Sequence, residues 1–203
     1  MKLKEGVRIT GKVRIDTFRA GMVDLAMPIL NKIAELRPLA SQSPLIAARI
    51  AALKDDLFII RNEHFIRTAA ECPNLIMDSP NYGLDLIIQR LVGINTYSLN
   101  VLWIEIGTGS TTPNVNDTAL TTPTIRAAVN FQEDFGTTDA IVQAYITDAN
   151  LANATYTEVG SFVDGNSSIG TGQIFNHALL SPTYSKVAGQ DTTIQIDFTV
   201  TNS

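Results

Sequence analysis

The chain has 203 residues, 45% apolar and 17% charged, with a formal net charge of −5, a length that supports one large domain or two small ones, each with a buried core. No run approaches the roughly 18 to 20 uninterrupted apolar residues of a membrane span. Met1-Lys-Leu-Lys-Glu5 leads into polar alternation rather than an apolar signal core, so the expectation is a protein without a membrane span that is not exported by the usual route.

Residues 7–16 alternate, with Val7, Ile9, Val13 and Ile15 on one face and Arg8, Lys12 and Arg14 on the other. Period two predicts a half-buried strand, or a short hairpin about Gly11. Three cations on one strand face are ordinarily solvated, so nucleic acid is not expected as a partner. Met22, Leu25, Ile29, Ile33 and Leu36 keep helical spacing, with Pro28 kinking one helix or opening a second and Pro38 ending it. Ser43-Pro44 then sets a capping residue before a proline at the first helical position, and Ile46, Ile50, Leu53 and Leu57 continue one face. A helical hairpin is the natural result. Leu57-Phe-Ile-Ile60 and Phe65-Ile66 are short apolar runs, ambiguous between helix and buried strand. Cys72 is the single cysteine, which excludes an internal disulfide. With only His64 and His177 beside it there are too few ligands for a zinc cluster, and it reads as a small buried hydrophobe. Ser79-Pro80 repeats the cap-and-proline device, and Leu84, Ile87, Ile88, Leu91 and Val92 form a regular stripe ended by Gly93. That spacing predicts a helix over residues 80–93 with its stripe in the core.

At Tyr97 the texture changes. Residues 1–97 hold 13 Lys and Arg against 10 Asp and Glu, a net of +3, whereas residues 98–203 hold 2 against 10, a net of −8. Opposite charge on the two halves suits head-to-tail stacking of copies, although solvation alone explains most charge bias. Val101-Leu-Trp-Ile-Glu-Ile106 is apolar on both faces and predicts a central strand. Ile125, Ala127, Val129 and Phe131 alternate, as do Val142, Ala144 and Ile146, and most regularly Ile194, Ile196, Phe198 and Val200. Tyr156–Val163 and Gln173–Leu180 also read as strands. Six or more strands with no helical pattern between them predict an antiparallel sandwich. The fold class expected is therefore α+β, with an N-terminal strand and helical region over residues 1–97 and an antiparallel β-sandwich over residues 98–203.

Catalytic motifs are scarce. Gly107-Thr-Gly109 is succeeded by Ser-Thr-Thr-Pro113, without the lysine or the ensuing helix of a phosphate-binding loop. His64 and His177 have no neighbouring nucleophile motif. The adjacent acids Asp55-Asp56 and Glu133-Asp134 point to different faces. The two acids of a glycosidase, about 5 to 9 Å apart, can come from anywhere in a fold, so a hydrolase stays among the rival readings. Asp148-Ala-Asn150 and Asp164-Gly-Asn166 lack the full ligand run of a calcium loop and read as turns. No catalytic residue, cofactor, metal or small-molecule substrate is expected.

Ile104-Glu-Ile-Gly107-Thr-Gly109 with Thr112-Pro113, then Asp117-Thr-Ala-Leu120 and Arg126, resembles a signature of virion proteins of tailed phages encoded near tail-fibre and baseplate components. Asn74-Leu75-Ile76 before Gly83-Leu84 resembles that family's Asn-Leu-Val segment and next helix. Glu158-Val-Gly160-Ser-Phe162 resembles its Glu-Ile-Gly-Leu-Phe strand, and Ala178-Leu-Leu-Ser-Pro182 with Lys186 its ending. The resemblance covers residues 74–203, and its specificity lies in the order of the pieces. Ser161 departs from a large apolar residue, Thr121-Thr-Pro123 from Gly-x-Glu, and residues 17–73 match nothing in the family. The resemblance implies a non-enzymatic component of the tail, baseplate, fibre-attachment or neck region, assembled into the virion in the host cytoplasm. It also implies a symmetric homo-oligomer that binds other virion proteins. The other rivals are a receptor- or carbohydrate-binding module and a head decoration or cement protein.

The loop residues have a physical reading of their own. Gly107 and Gly109 are expected in backbone conformations closed to other residues, and Pro113 stiffens the loop beyond them. Asp117 with Thr118 ties the loop through side-chain to backbone hydrogen bonds. Leu120 anchors it on the core, and Arg126 binds carbonyls or carboxylates beneath it.

Overall fold

The structure is a computed structural model that describes residues 7–202. Strand β1 (Val7–Arg19) passes Gly11 without turning, so the single strand holds and the hairpin does not. Helix α1 (Met22–Leu36), a 3-10 turn over Arg37–Gln42 and helix α2 (Pro44–His64) make the expected helical hairpin. Pro28 lies inside α1 without dividing it, and the buried face is Met22, Val23, Ala26, Leu30 and Ile33. Leu25, which the spacing placed on that face, is 52% exposed.

Helix α2 runs straight into strand β2 (Phe65–Ile76), so Leu57–Ile60 is helical and Phe65-Ile66 is strand. Helix α3 spans only Leu84–Leu91, shorter than the 80–93 expected. Its approach is a turn held to neighbouring backbone: Gly83 N–H bonds the Ile174 carbonyl and Leu84 N–H that of Met77. Ser79 accepts from Tyr82 N–H through its carbonyl rather than capping the helix with its side chain. The apolar stripe of α3 is not core either. Leu86 is buried and Leu84 and Ile87 pack on the main cluster, while Ile88, Leu91 and Val92 face solvent.

Seven more strands complete the chain: β3 (Val101–Gly107), β4 (Pro123–Ala128), β5 (Phe131–Phe135), β6 (Asp139–Ile146), β7 (Thr155–Val163), β8 (Gln173–Ser185) and β9 (Gln190–Asn202). The strands form one nine-stranded sheet in the order β4-β3-β7-β8-β2-β1-β9-β6-β5. Its ladders are all antiparallel. The mixture of helices with an antiparallel sheet is as expected. Two separate sandwich sheets are not seen, because β2 pairs with β1 along most of its length and with β8 at Leu75 and Ile76, joining both halves into one order. The sheet therefore draws its middle strands from residues ahead of Tyr97.

The sheet curls into a half-barrel. Its ends approach each other where Asn130 N–H bonds the Gln143 carbonyl and β4 lies beside β6. Val13, Ile15, Ile104, Ile106, Val159, Ala178, Ile194 and Ile196 fill the inside. Outside, the helical hairpin covers Phe18 and Tyr145. Strand β3 lies between β4 and β7, second from an edge rather than central. It is apolar on both faces because Ile104 and Ile106 face the core while Trp103 packs beside a second cluster of Met77, Leu120, Phe162 and Ile174.

Ile15 has no exposed surface in the middle of the sheet, so Ile15→Ala is expected to lower the unfolding free energy by about 2–5 kcal/mol. Leu25→Ala, at an exposed site, is expected to change it by less than about 0.5 kcal/mol. Urea denaturation of the two variants measures the contrast.

Candidate functional site

The loop that leaves β3 at Gly107 returns over the sheet because a buried carboxylate holds it. Glu158 of β7 has no exposed surface. Its Oε1 accepts the N–H groups of Gly109 at 3.0 Å and Thr122 at 2.6 Å, and its Oε2 that of Thr121 at 2.9 Å. Charge-assisted bonds of this kind are among the stronger ones a fold contains. Thr157 Oγ1 donates to the Gly109 carbonyl at 2.7 Å from the same strand. Leu120 is buried against Met77, Phe162 and Ile174, so the loop is fixed by an anion at its ends and an apolar plug between.

The two glycines serve this contact for a different reason from the one expected. Neither Gly107 nor Gly109 is among the residues with positive φ. A Cβ at Gly107 would lie 2.6 Å from Glu158 Oε1, and one at Gly109 2.5 Å from the same atom. Glycine is required there for close approach, not for an unusual backbone conformation.

His177 of β8 lies on the far side of the carboxylate, 1% exposed. Its Nε2 is 3.1 Å from Glu158 Oε2 and its Nδ1 is 2.8 Å from Asp117 Oδ2. The same Asp117 oxygen accepts Asn114 N–H at 2.9 Å, and Asp117 N–H donates to the Asn114 carbonyl at 2.9 Å. Asp117 thus ties its loop through Asn114 rather than with Thr118. Pro113 borders a shallow hollow of about 320 Å³ beside His177 and Asn74.

Arg126 forms a separate centre. Its side chain is 1% exposed and its Nη1 lies 2.5 Å from Glu105 Oε1. Nε donates to the Asn166 carbonyl at 2.8 Å and Nη2 to that of Thr171 at 2.7 Å. The guanidinium also sits 5.1 Å from the Trp103 ring centre and 4.9 Å from that of Phe162. Glu105 Oε1 accepts Gly170 N–H at 2.8 Å. One guanidinium thereby joins β3, β4 and the loop between β7 and β8. The other cation after Tyr97, Lys186, is equally buried: it pairs with Asp148 and donates to the Val187 carbonyl at 2.8 Å.

Of the loop residues named from sequence, Gly107, Gly109, Asp117 and Leu120 gather around Glu158 and His177, Pro113 borders them, and Arg126 stands apart with Glu105. Glu158 and Glu105 entered the sequence reading only within the strand motifs of the resemblance, and His177 only as a histidine without a nucleophile motif; none was expected to hold the loop. Their available signal was a charged or ionisable residue inside an otherwise apolar strand, which must find a partner if the strand is buried. Ser161, the departure from a large apolar residue, is fully buried and donates to Asn176 Oδ1 on the facing strand.

Both ring nitrogens of His177 face carboxylates, and no hydroxyl or thiol is hydrogen-bonded to it among the described residues. No group of three or more His, Cys, Asp or Glu among the described residues is arranged to hold a metal ion. Also among them, no helix is long and apolar enough to cross a membrane. Comparison of the chain with protein-family models, curated proteins and solved structures finds no match.

Removing Arg126 strands a buried Glu105, so Arg126→Ala is expected to destabilise by about 3–5 kcal/mol. Arg126→Lys recovers only part, because one ammonium cannot span three acceptors and two rings; chemical denaturation measures both. Asp148 carries a pH signature. Hydrogen bonding from Lys186, then from Gly189 N–H, holds its carboxyl below the ordinary value. Its stabilisation is therefore complete above the unfolded value and lost as pH falls through the folded one. Thermal melts between about pH 5 and pH 2 are expected to fall less steeply in Asp148→Asn than in the parent.

Proposed function

We propose that the chain is a non-enzymatic structural component of a tailed-phage particle, in its tail, baseplate, fibre-attachment or neck region. It acts as a symmetric homo-oligomer that docks other virion proteins and is assembled in the host cytoplasm. The observation that carries this reading is the use of the buried charges around the loop. The buried side chains of Glu158, His177, Glu105 and Arg126, with the partly exposed Asp117, bond to one another or to backbone, an arrangement that stiffens a scaffold. The resemblance to tailed-phage virion proteins converges on the same place, since its signature residues Gly107, Gly109 and Leu120 surround Glu158. On this reading the facing halves of the curled sheet act as the layers of a sandwich. Exposed apolar residues on the helices, such as Leu45, Phe58 and Leu91, provide contact surface.

Mass spectrometry of density-purified particles produced from the encoding genome is expected to find the chain in a fixed ratio to the other virion proteins. Its absence from such particles overturns the reading.

One observation favours a second reading, a receptor- or carbohydrate-binding module. Phe58, Phe65 and Phe135 are exposed around a cleft of about 490 Å³ that also contains Arg14, Arg61 and Gln195. Aromatic faces beside polar groups suit a sugar ring. Glycan-array binding lost in Phe58→Ala would favour it over the purely structural role.

A further inference from the structure

Helix α2 is apolar on two sides. Its inner side, Ile50, Leu53 and Leu57, is buried. On another side Leu45 is 80% exposed and Ile59 52%, with exposed Ala48 and Ala52 between them. At about 3.6 residues per turn these four positions make one stripe, about 20 Å long. Arg49 and Asp56 flank it on one side and Asp55 on the other. All three are exposed, and none forms a salt bridge among the described residues. An exposed apolar stripe opposite the one already buried is a surface that a partner can cover.

We propose that this side of α2 packs against the same side of a second copy of the chain, antiparallel, about a two-fold axis at Ala52. The pairing rests on the assembly reading for its purpose, though its geometry stands on α2 alone. The two-fold sets Leu45 of each copy beside Ile59 of the other. Arg49 and Asp56 are about 10 Å apart along their own helix, too far to pair within it. Reversing the direction of the second helix brings Arg49 of each copy level with Asp56 of the other, on the same flank, so the ion pair forms twice. A parallel arrangement would exchange the flanks, leaving Arg49 opposite no acid at its own level and setting Asp56 of each copy beside Asp55 of the other. The sign pattern therefore selects the antiparallel dimer. Ala48 and Ala52 at its centre let the helix axes approach to about 8 Å. The exposed face of α3, Ile88, Leu91 and Val92, carries no comparable charge pattern to choose an occupant.

Sedimentation equilibrium of the full chain, with circular dichroism to verify folding, tests the interface. A concentration-dependent dimer is expected, weakened about tenfold or more by Arg49→Glu and by Asp56→Lys separately and restored in the double variant, in which the pair is reversed. Ala52→Arg is expected to abolish it. A strictly monomeric chain overturns the proposal, as does a double variant no better than either single one. Association indifferent to all these changes also overturns the α2 interface, yet leaves the assembly reading standing.

Discussion

The pairing of β1 with β9 on one flank and β2 on the other is the constraint on which the rest depends. It brings Val7 opposite Asn202 and Arg19 opposite Gln190, joining distant parts of the chain in one register before any loop is placed. Because side chains alternate along a strand, that register also fixes which face is core. Val13 and Ile15 meet Ile196 and Ile194 as cross-strand partners, and all four are fully buried. Once β2 continues onto β8, the second half of the sheet is committed to the same curl, and β7 presents Glu158 to the returning loop.

That carboxylate illustrates how an acidic half-chain remains stable. Residues 98–203 hold only two cations, and both are buried in ion pairs rather than spread over the surface. A buried pair is poor evidence for net stability, since desolvation offsets much of the attraction, but its geometry is restrictive. Arg126 is satisfied only when β3, β4 and the β7–β8 loop are all in place. Glu158 likewise requires both ends of the 108–122 loop. Buried charge here specifies a single arrangement of loops, and the remaining acidic side chains leave that half repelling other acidic surfaces.

The legible parts of the fold were those with an undisturbed period. Ile194, Ile196, Phe198 and Val200 marked β9 without ambiguity, and Ile50, Leu53 and Leu57 marked the inner face of α2. Strand β2 was obscure because Arg67, Glu71 and Pro73 interrupt its alternation and because it starts where α2 ends, with no turn residue between. Missing β2 meant missing the link that makes one sheet of two halves. Helix α3 misled for another reason. Its periodicity was real, but a two-turn helix touching the sheet through Leu84, Leu86 and Ile87 leaves the rest of its apolar residues outside. At the site, the loop residues were visible as local chemistry. Their organiser Glu158 was not, since a partnership between residues 109, 121 and 158 leaves no short-range pattern.

The placement of the helical hairpin is a consequence of the same topology. Strands β1 and β2 are antiparallel neighbours, a connection that a tight turn of about two residues can make. Residues 20–64 occupy that connection instead, and their inner side rests on Phe18 and Tyr145. An insertion between paired strands can vary in length and surface without altering the register on either side, because the ladder hydrogen bonds do not pass through it. The sheet and its loops are thus fixed by ladder hydrogen bonds and buried charge, whereas the hairpin is held to them through the apolar side it lays on Phe18 and Tyr145.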